Sequence, residues 1–160
     1  MFTVIEKVII LQNVDVFLDV PTEQLAYLAA IAEEAAFMKG ETIYRANEQS
    51  DAMYLVLEGS VRLHRDGEEV TVAGSQEAFG TWALFDEEPR VVTATAVEDS
   101  KVLRIYTEDF YDILADHVQI TQGIFKAMVK RMRKLIELVG LDTAPKGKRD
   151  KKGVGSGNAM

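Results

Sequence analysis

Arg90 is the residue on which a chemistry can be built. Between Asp66 and Ser100 stand nine carboxylates and one basic side chain, Arg90. Two readings of this arginine are open. It pairs with nearby acids, or it binds an anion, because a planar guanidinium can hold a phosphate through two parallel hydrogen bonds. The run Phe79-Gly80-Thr81-Trp82 bears on the second reading. A glycine followed by a short helical turn adds backbone N–H donors of the kind that phosphate sites use. Asp86-Glu87-Glu88, just before Pro89, act the other way. They raise the local negative potential and can hold Arg90 when no anion is present. The sole tryptophan, Trp82, either packs this turn down or contacts a ligand.

Other chemistries are poorly served. The chain has no cysteine, which excludes disulfides, zinc-thiolate sites, thiol catalysis and iron–sulfur ligation. Its two histidines, His64 and His117, have no partner at metal-ligand spacing. No phosphate-binding loop, dinucleotide fingerprint or nucleophile elbow is present. The sequence therefore predicts no enzyme activity, no metal and no cofactor.

The elements that must position Arg90 fall into three blocks. Residues about 3–38 read as helical, with Leu25, Leu28, Ala29 and Ile31 at helical spacing and Thr22 as an N-cap. Residues about 41–105 read as short strands. Among them are Met53–Leu57, Val61–Arg65, Glu68–Val72, Val91–Val97 and Val102–Tyr106, and Asp66-Gly67 marks a hairpin. Residues about 107–140 return to helix. In the long segment 118–139, Ile120, Ile124, Met128, Met132, Leu135 and Val139 form one stripe, a core face or a dimer seam. Helix and strand segregate along the chain, so the fold class is α+β, with a sandwich or barrel at its centre.

Length and charge set further bounds. The 160 residues suit one domain, here 1–140, with a tail at 141–160. The net charge of -8 combines +3 over residues 142–160 with -11 over residues 1–141. The tail, rich in Gly, Lys and Ser, reads as basic and disordered. The acidic body argues against polymeric nucleic acid or anionic membrane as partners. The apolar run Val8–Leu11 is too short for a signal peptide or a span of about 20 residues. A soluble, cytoplasmic protein is expected.

Three segments, in order, carry a family resemblance. Phe79-Gly80-Thr81-Trp82-Ala83-Leu84, then Pro89-Arg90-Val91-Val92-Thr93, resembles the phosphate-binding cassette of cyclic nucleotide-binding domains, such as those of protein kinase A regulatory subunits and the catabolite activator family. The spacing from Gly80 to Arg90 is the usual one. Gly40–Arg45 looks like the family's opening strand, and Met53–Val61 like its following hairpin. The resemblance implies an eight-stranded antiparallel β-roll (a jelly-roll-like double-stranded β-helix), with a cassette helix and flanking N- and C-terminal helices.

It also implies a ligand site made of Phe79, Gly80, Thr81, Trp82, Ala83, Arg90, Val91 and Val92. The cyclic phosphate would sit on Arg90 and on the backbone N–H groups of Ala83 and Val91. Gly80 would let the backbone approach the ribose, and Leu84 and Val92 would pack beneath the cassette. One position departs from the pattern. Thr81 stands where the family has a glutamate that accepts a hydrogen bond from the ribose 2′-hydroxyl. Losing a bond to a charged group costs about 1.5–3 kcal/mol, which is about ten- to a hundred-fold in affinity. Val91 offers no hydroxyl, so nothing supports a cyclic GMP preference.

Two functional expectations follow. The chain is a regulatory module that senses cyclic AMP or a related nucleotide weakly, moving the 118–139 helix toward an unknown protein effector. Alternatively, it is a degenerate module that binds no cyclic nucleotide and serves protein contact or homodimerisation through that helix. About 20 residues follow the helix, too few for the helix-turn-helix domain of the related transcription regulators. No sequence-specific nucleic acid is expected as a partner.

Overall fold

The computed structural model of the protein describes residues 1–140. The tail expected at 141–160 lies outside the described residues. Among them, α1 (Val4–Leu11), a 3-10 turn (Asp15–Phe17) and α2 (Thr22–Ile31) precede eight strands, and α3 (Thr107–Asp116) and α4 (Val118–Leu138) follow them. The strands are β1 (Glu33–Phe37), β2 (Thr42–Tyr44), β3 (Ala52–Glu58), β4 (Val61–Arg65), β5 (Glu68–Ala73), β6 (Ala78–Phe79), β7 (Thr93–Ala96) and β8 (Ser100–Tyr106). They form two antiparallel four-stranded sheets, ordered β1-β8-β3-β6 and β2-β7-β4-β5. The expected roll of eight antiparallel strands with flanking helices is what the chain adopts.

The apolar run 53–57 shows why the first sheet lies at the centre. Side chains alternate across a strand. Met53, Leu55 and Leu57 join the helix-side core with Leu11, Phe17, Leu25, Phe110 and Ile120. Ala52, Tyr54 and Val56 face the other way, into the roll interior with Val61, Phe79, Ala94 and Val102. A strand buried on both faces has no polar side to show, so it reads as a continuous apolar run. The β4–β5 hairpin turns at Asp66 and Gly67, both with positive φ (51° and 82°), as the Asp-Gly pair predicts.

Three expectations need correction. Residues 33–37 are not helical: they form β1, paired along its length with β8, so the strand-rich region begins at Glu33 rather than 41. Glu and Ala favour helix, but here the ladder to β8 outweighs that bias, aided by an ion pair between the directly opposed Glu33 and Arg104 at 3.6 Å. Thr22 is the first helical residue rather than the cap; Pro21 holds the cap position, with no side-chain bond. The true cap in this region is Thr3, which forms a reciprocal capping box with Glu6 at the start of α1.

The third correction concerns the α4 stripe. Ile120 and Ile124 are buried, and Met128 packs against the core. Beyond it, Met132, Leu135 and Val139 are exposed, as are Phe125 and Val129. The stripe is therefore core over its first half only. No helix of the described residues is long and apolar enough to cross a membrane.

Candidate ligand-binding site

The cassette begins where β6 ends. Gly80 adopts the left-handed conformation (φ 68°), and a 3-10 turn, Thr81–Leu84, follows. A Cβ on Gly80 would lie 2.7 Å from Nη1 of Arg90 and 3.2 Å from Oη of Tyr44. Only glycine meets both the backbone and the space requirement here. Leu84 is fully buried beneath the turn, and Phe85 sets its ring edge-on to Phe110 of α3 at 5.7 Å. The Thr107 hydroxyl donates to the Ala83 carbonyl at 3.1 Å. The cassette is thus fastened to α3 by one apolar and one polar contact.

Arg90 is buried, with 5% of its surface exposed. Its backbone N–H donates to the Glu48 carbonyl and its carbonyl accepts from Asn47, which pins it to the β2–β3 loop. Nη2 donates to the Ala52 carbonyl at 2.7 Å and Nη1 to the Gly80 carbonyl at 3.4 Å. The guanidinium lies 3.9 Å above the Tyr44 ring and 5.9 Å from that of Tyr54. Its nearest carboxylate is Asp51, at 3.7 Å. Among the described residues Asp86, Glu87 and Glu88 form no ion pair with it, so the expected neighbours are the wrong ones. Asp51 is mostly exposed, and screening leaves such a contact little weight. The Arg90 Nε is buried without a hydrogen-bond partner. A buried unpaired donor costs about 1–3 kcal/mol unless something satisfies it.

The tyrosines under Arg90 answer to the same burial. Desolvation pushes the Tyr44 hydroxyl up to about 12, although the Arg90 charge pulls the other way. Tyr54 is raised for the same first reason. Both stay protonated and neutral, so the arginine keeps its full charge facing the cavity.

A cavity of about 610 Å³ opens in front of this constellation, within the size range of small-molecule sites. All eight residues expected at the site line it: Phe79, Gly80, Thr81, Trp82, Ala83, Arg90, Val91 and Val92. Their exposures differ. Phe79 and Ala83 are buried, Thr81 and Val92 half-buried, and Trp82 and Val91 exposed. The Ala83 N–H, expected to face a phosphate, donates to the Gly80 carbonyl at 3.2 Å. The expected packing of Trp82 onto the roll is only partial. Its nearest aromatic is Phe85, and Arg131 of α4 lies over its ring at 5.2 Å.

The sequence did not point to Tyr44, Tyr54, Asp51 or Arg131. Tyr44 and Tyr54 stood inside the resembling segments, and an aromatic beside a buried cation is a signal available in principle. Arg131 had none, because only the docking of α4 brings it beside Trp82.

The roll, the glycine-led cassette turn and the buried arginine together define a class of ligand-binding module, and comparison places it. A family model described as cyclic nucleotide-binding domain matches residues 34–117. The protein belongs to the cyclic nucleotide-binding domain family. A CRP-like cAMP-activated global transcriptional regulator of Mycobacterium tuberculosis is 25% identical over 130 residues, covering 78% of this chain and 58% of that protein. A cyclic AMP receptor protein of Thermus thermophilus is 29% identical over 116 residues, covering 69% and 54%. The chain thus spans a little over half the length of these relatives. Among solved structures, the N-terminal domain of a transcriptional regulator from Streptomyces coelicolor superposes with a TM-score of 0.77 at 28% identity, covering 85% of this chain and 99% of that one.

Proposed function

We propose that the protein is a non-enzymatic regulatory module whose cassette cavity takes a cyclic nucleotide, cyclic AMP in the first instance, and holds it weakly. The observation that carries this reading is Arg90. It is a buried arginine at the cavity wall, beside a left-handed glycine, with its Nε unsatisfied. A phosphate reaching it exchanges two contacts to neutral carbonyls for paired bonds to an anionic acceptor, which are stronger. Thr81 at the cavity supplies a hydroxyl where a carboxylate would be needed to hold the ribose firmly. The signal would leave through Phe85 and Ala83 to α3, and through Trp82 to α4. A ligand moves α4 only by its differential affinity for two positions of that helix.

The test is calorimetric titration with cyclic AMP and cyclic GMP, with Trp82 emission followed in parallel. Saturable heat with cyclic AMP, lost in Arg90→Lys, supports the reading, since lysine keeps the charge but not the fork. No heat and no emission change at millimolar ligand would sink it.

A second reading has its own support. Arg90 already spends both terminal nitrogens on protein carbonyls, and the Ala83 N–H is used within the turn. A site satisfied by its own backbone is what a degenerate module would keep. In that case the exposed apolar residues of α4 and its C-cap, Phe125, Val129, Met132, Leu135, Leu138 and Val139, would pair with a second copy of the chain or with a protein effector. A monomeric mass by light scattering at high protein concentration would discard the homodimer.

A further inference from the structure

A second cavity, of about 380 Å³, lies between the 15–19 segment and α4 and adjoins the cassette cavity, with Trp82 among the residues that line both. Its floor is apolar: Val16, Leu18, Trp82 and Met128 contribute to it. Its rim is charged. Lys130, Arg131 and Lys134 follow one another along α4, and Asp15 and Asp19 face them from the turn. Lys130 pairs with Asp19 at 2.7 Å and Arg131 with Asp15 at 3.3 Å. Among the described residues Lys134 has no carboxylate partner. Three cations against two carboxylates leave one unit of positive charge at the mouth of an apolar groove. Residues 1–141 together carry a net -11, so the groove is opposite in sign to that total.

We infer that this groove is a second ligand site, for a small amphipathic monoanion: a carboxylate headgroup on an aliphatic or aromatic body. The headgroup meets Lys134 and Arg131, and the body lies on Leu18, Met128 and the exposed face of Trp82, half of whose surface is accessible. Charge-assisted bonds to a carboxylate fix the orientation, and covering the apolar floor supplies most of the affinity. The volume stands at the lower end of small-molecule sites, which fits a compact ligand better than a nucleotide. The groove shares Asp15, Val16, Trp82 and Arg131 with the cassette cavity, whereas Leu18, Met128 and Lys134 line the groove and not that cavity.

Decanoate below its micellar concentration is a suitable probe, with decanol as the uncharged control. The readouts are heat and the emission of Trp82, the sole tryptophan. Decanoate is expected to bind saturably at one site with a blue shift of the indole, and decanol at least about tenfold more weakly. Leu18→Glu, at an exposed position, places a repelling charge on the floor and should abolish binding, and Lys134→Glu should weaken it about tenfold or more. Leu18 and Lys134 line this groove and not the cassette cavity, so loss of binding in these two variants separates the sites. The inference is overturned by absence of saturable binding. Equal affinity for decanol, or binding unaltered by both substitutions at the groove, overturns it as well.

Discussion

The Arg90 guanidinium lies over the Tyr44 ring, 3.9 Å from its centre, and both residues line the cassette cavity. The two residues are in part substitutes for each other's solvent. The ring offers its negative face to the cation, and the cation partly offsets the upward push of burial on the phenol.

Burial of the Tyr44 hydroxyl makes stability depend on alkaline pH. The Tyr44 hydroxyl ionises near 12 in the folded chain and near 10 in the unfolded chain. A group with a raised folded value adds its full stability below the unfolded value. Between about pH 10 and 12 the unfolded chain has lost that proton while the folded chain keeps it, so stability falls. The drop is on the order of 2–3 kcal/mol across that interval. Urea unfolding at pH 9 and pH 11 should show a larger loss for the wild type than for Tyr44→Phe, whose ring keeps the stack but cannot ionise. Equal losses would mean that Tyr44 does not carry the effect.

Arg90 is expected to matter to the fold with no ligand present. It ties the Ala52 and Gly80 carbonyls and the Tyr44 ring together. Arg90→Ala removes these partners and should cost about 1–3 kcal/mol in chemical unfolding. A loss of cyclic AMP binding in that variant is therefore ambiguous alone, and Arg90→Lys is the cleaner variant for titration.

The missing carboxylate can be restored. Thr81 opens the cassette turn and lines the cavity at a half-buried position. Thr81→Glu should raise affinity for cyclic AMP about ten- to a hundred-fold, the worth of one hydrogen bond to a charged group. The gain should disappear with the 2′-deoxy analogue, which lacks the hydroxyl that the carboxylate would accept from. An unchanged affinity for cyclic AMP would show that the ribose is held by other means.

What the sequence made legible, and what it hid, follows from the range of each interaction. The β4–β5 hairpin is encoded locally, by Asp66-Gly67 between alternating runs, and it forms as read. The eight cavity residues are also close in the chain, within 79–92, and share one wall. Strand β1 was hidden because Glu33-Glu34-Ala35-Ala36 carry helix-favouring side chains, while their partner, β8, is almost 70 residues away. Tyr44 and Asp51 were hidden for the same reason. Their places at Arg90 depend on how β2 and β3 enter the roll, and no local spacing reports that.

Gly123 is where the placement of α4 can be tested. It lies against the turn that follows the first 3-10 segment. A Cβ there would sit 2.7 Å from the Asp19 carbonyl oxygen and 2.8 Å from the Val20 Cα. Both are backbone atoms, so they cannot swing aside as a long side chain would. In an open helix, Gly→Ala is favourable by about 1 kcal/mol. Here the sign should reverse, with Gly123→Ala destabilising by about 1–3 kcal/mol, the usual cost of forcing extra volume into a close-packed contact. The displaced helix would also carry Lys130 and Arg131 away from Asp19 and Asp15, and Arg131 away from Trp82. A shift in Trp82 emission in the folded variant should accompany the lower urea midpoint. Stabilisation with unchanged emission would mean that α4 does not depend on this contact for its position beside the cassette.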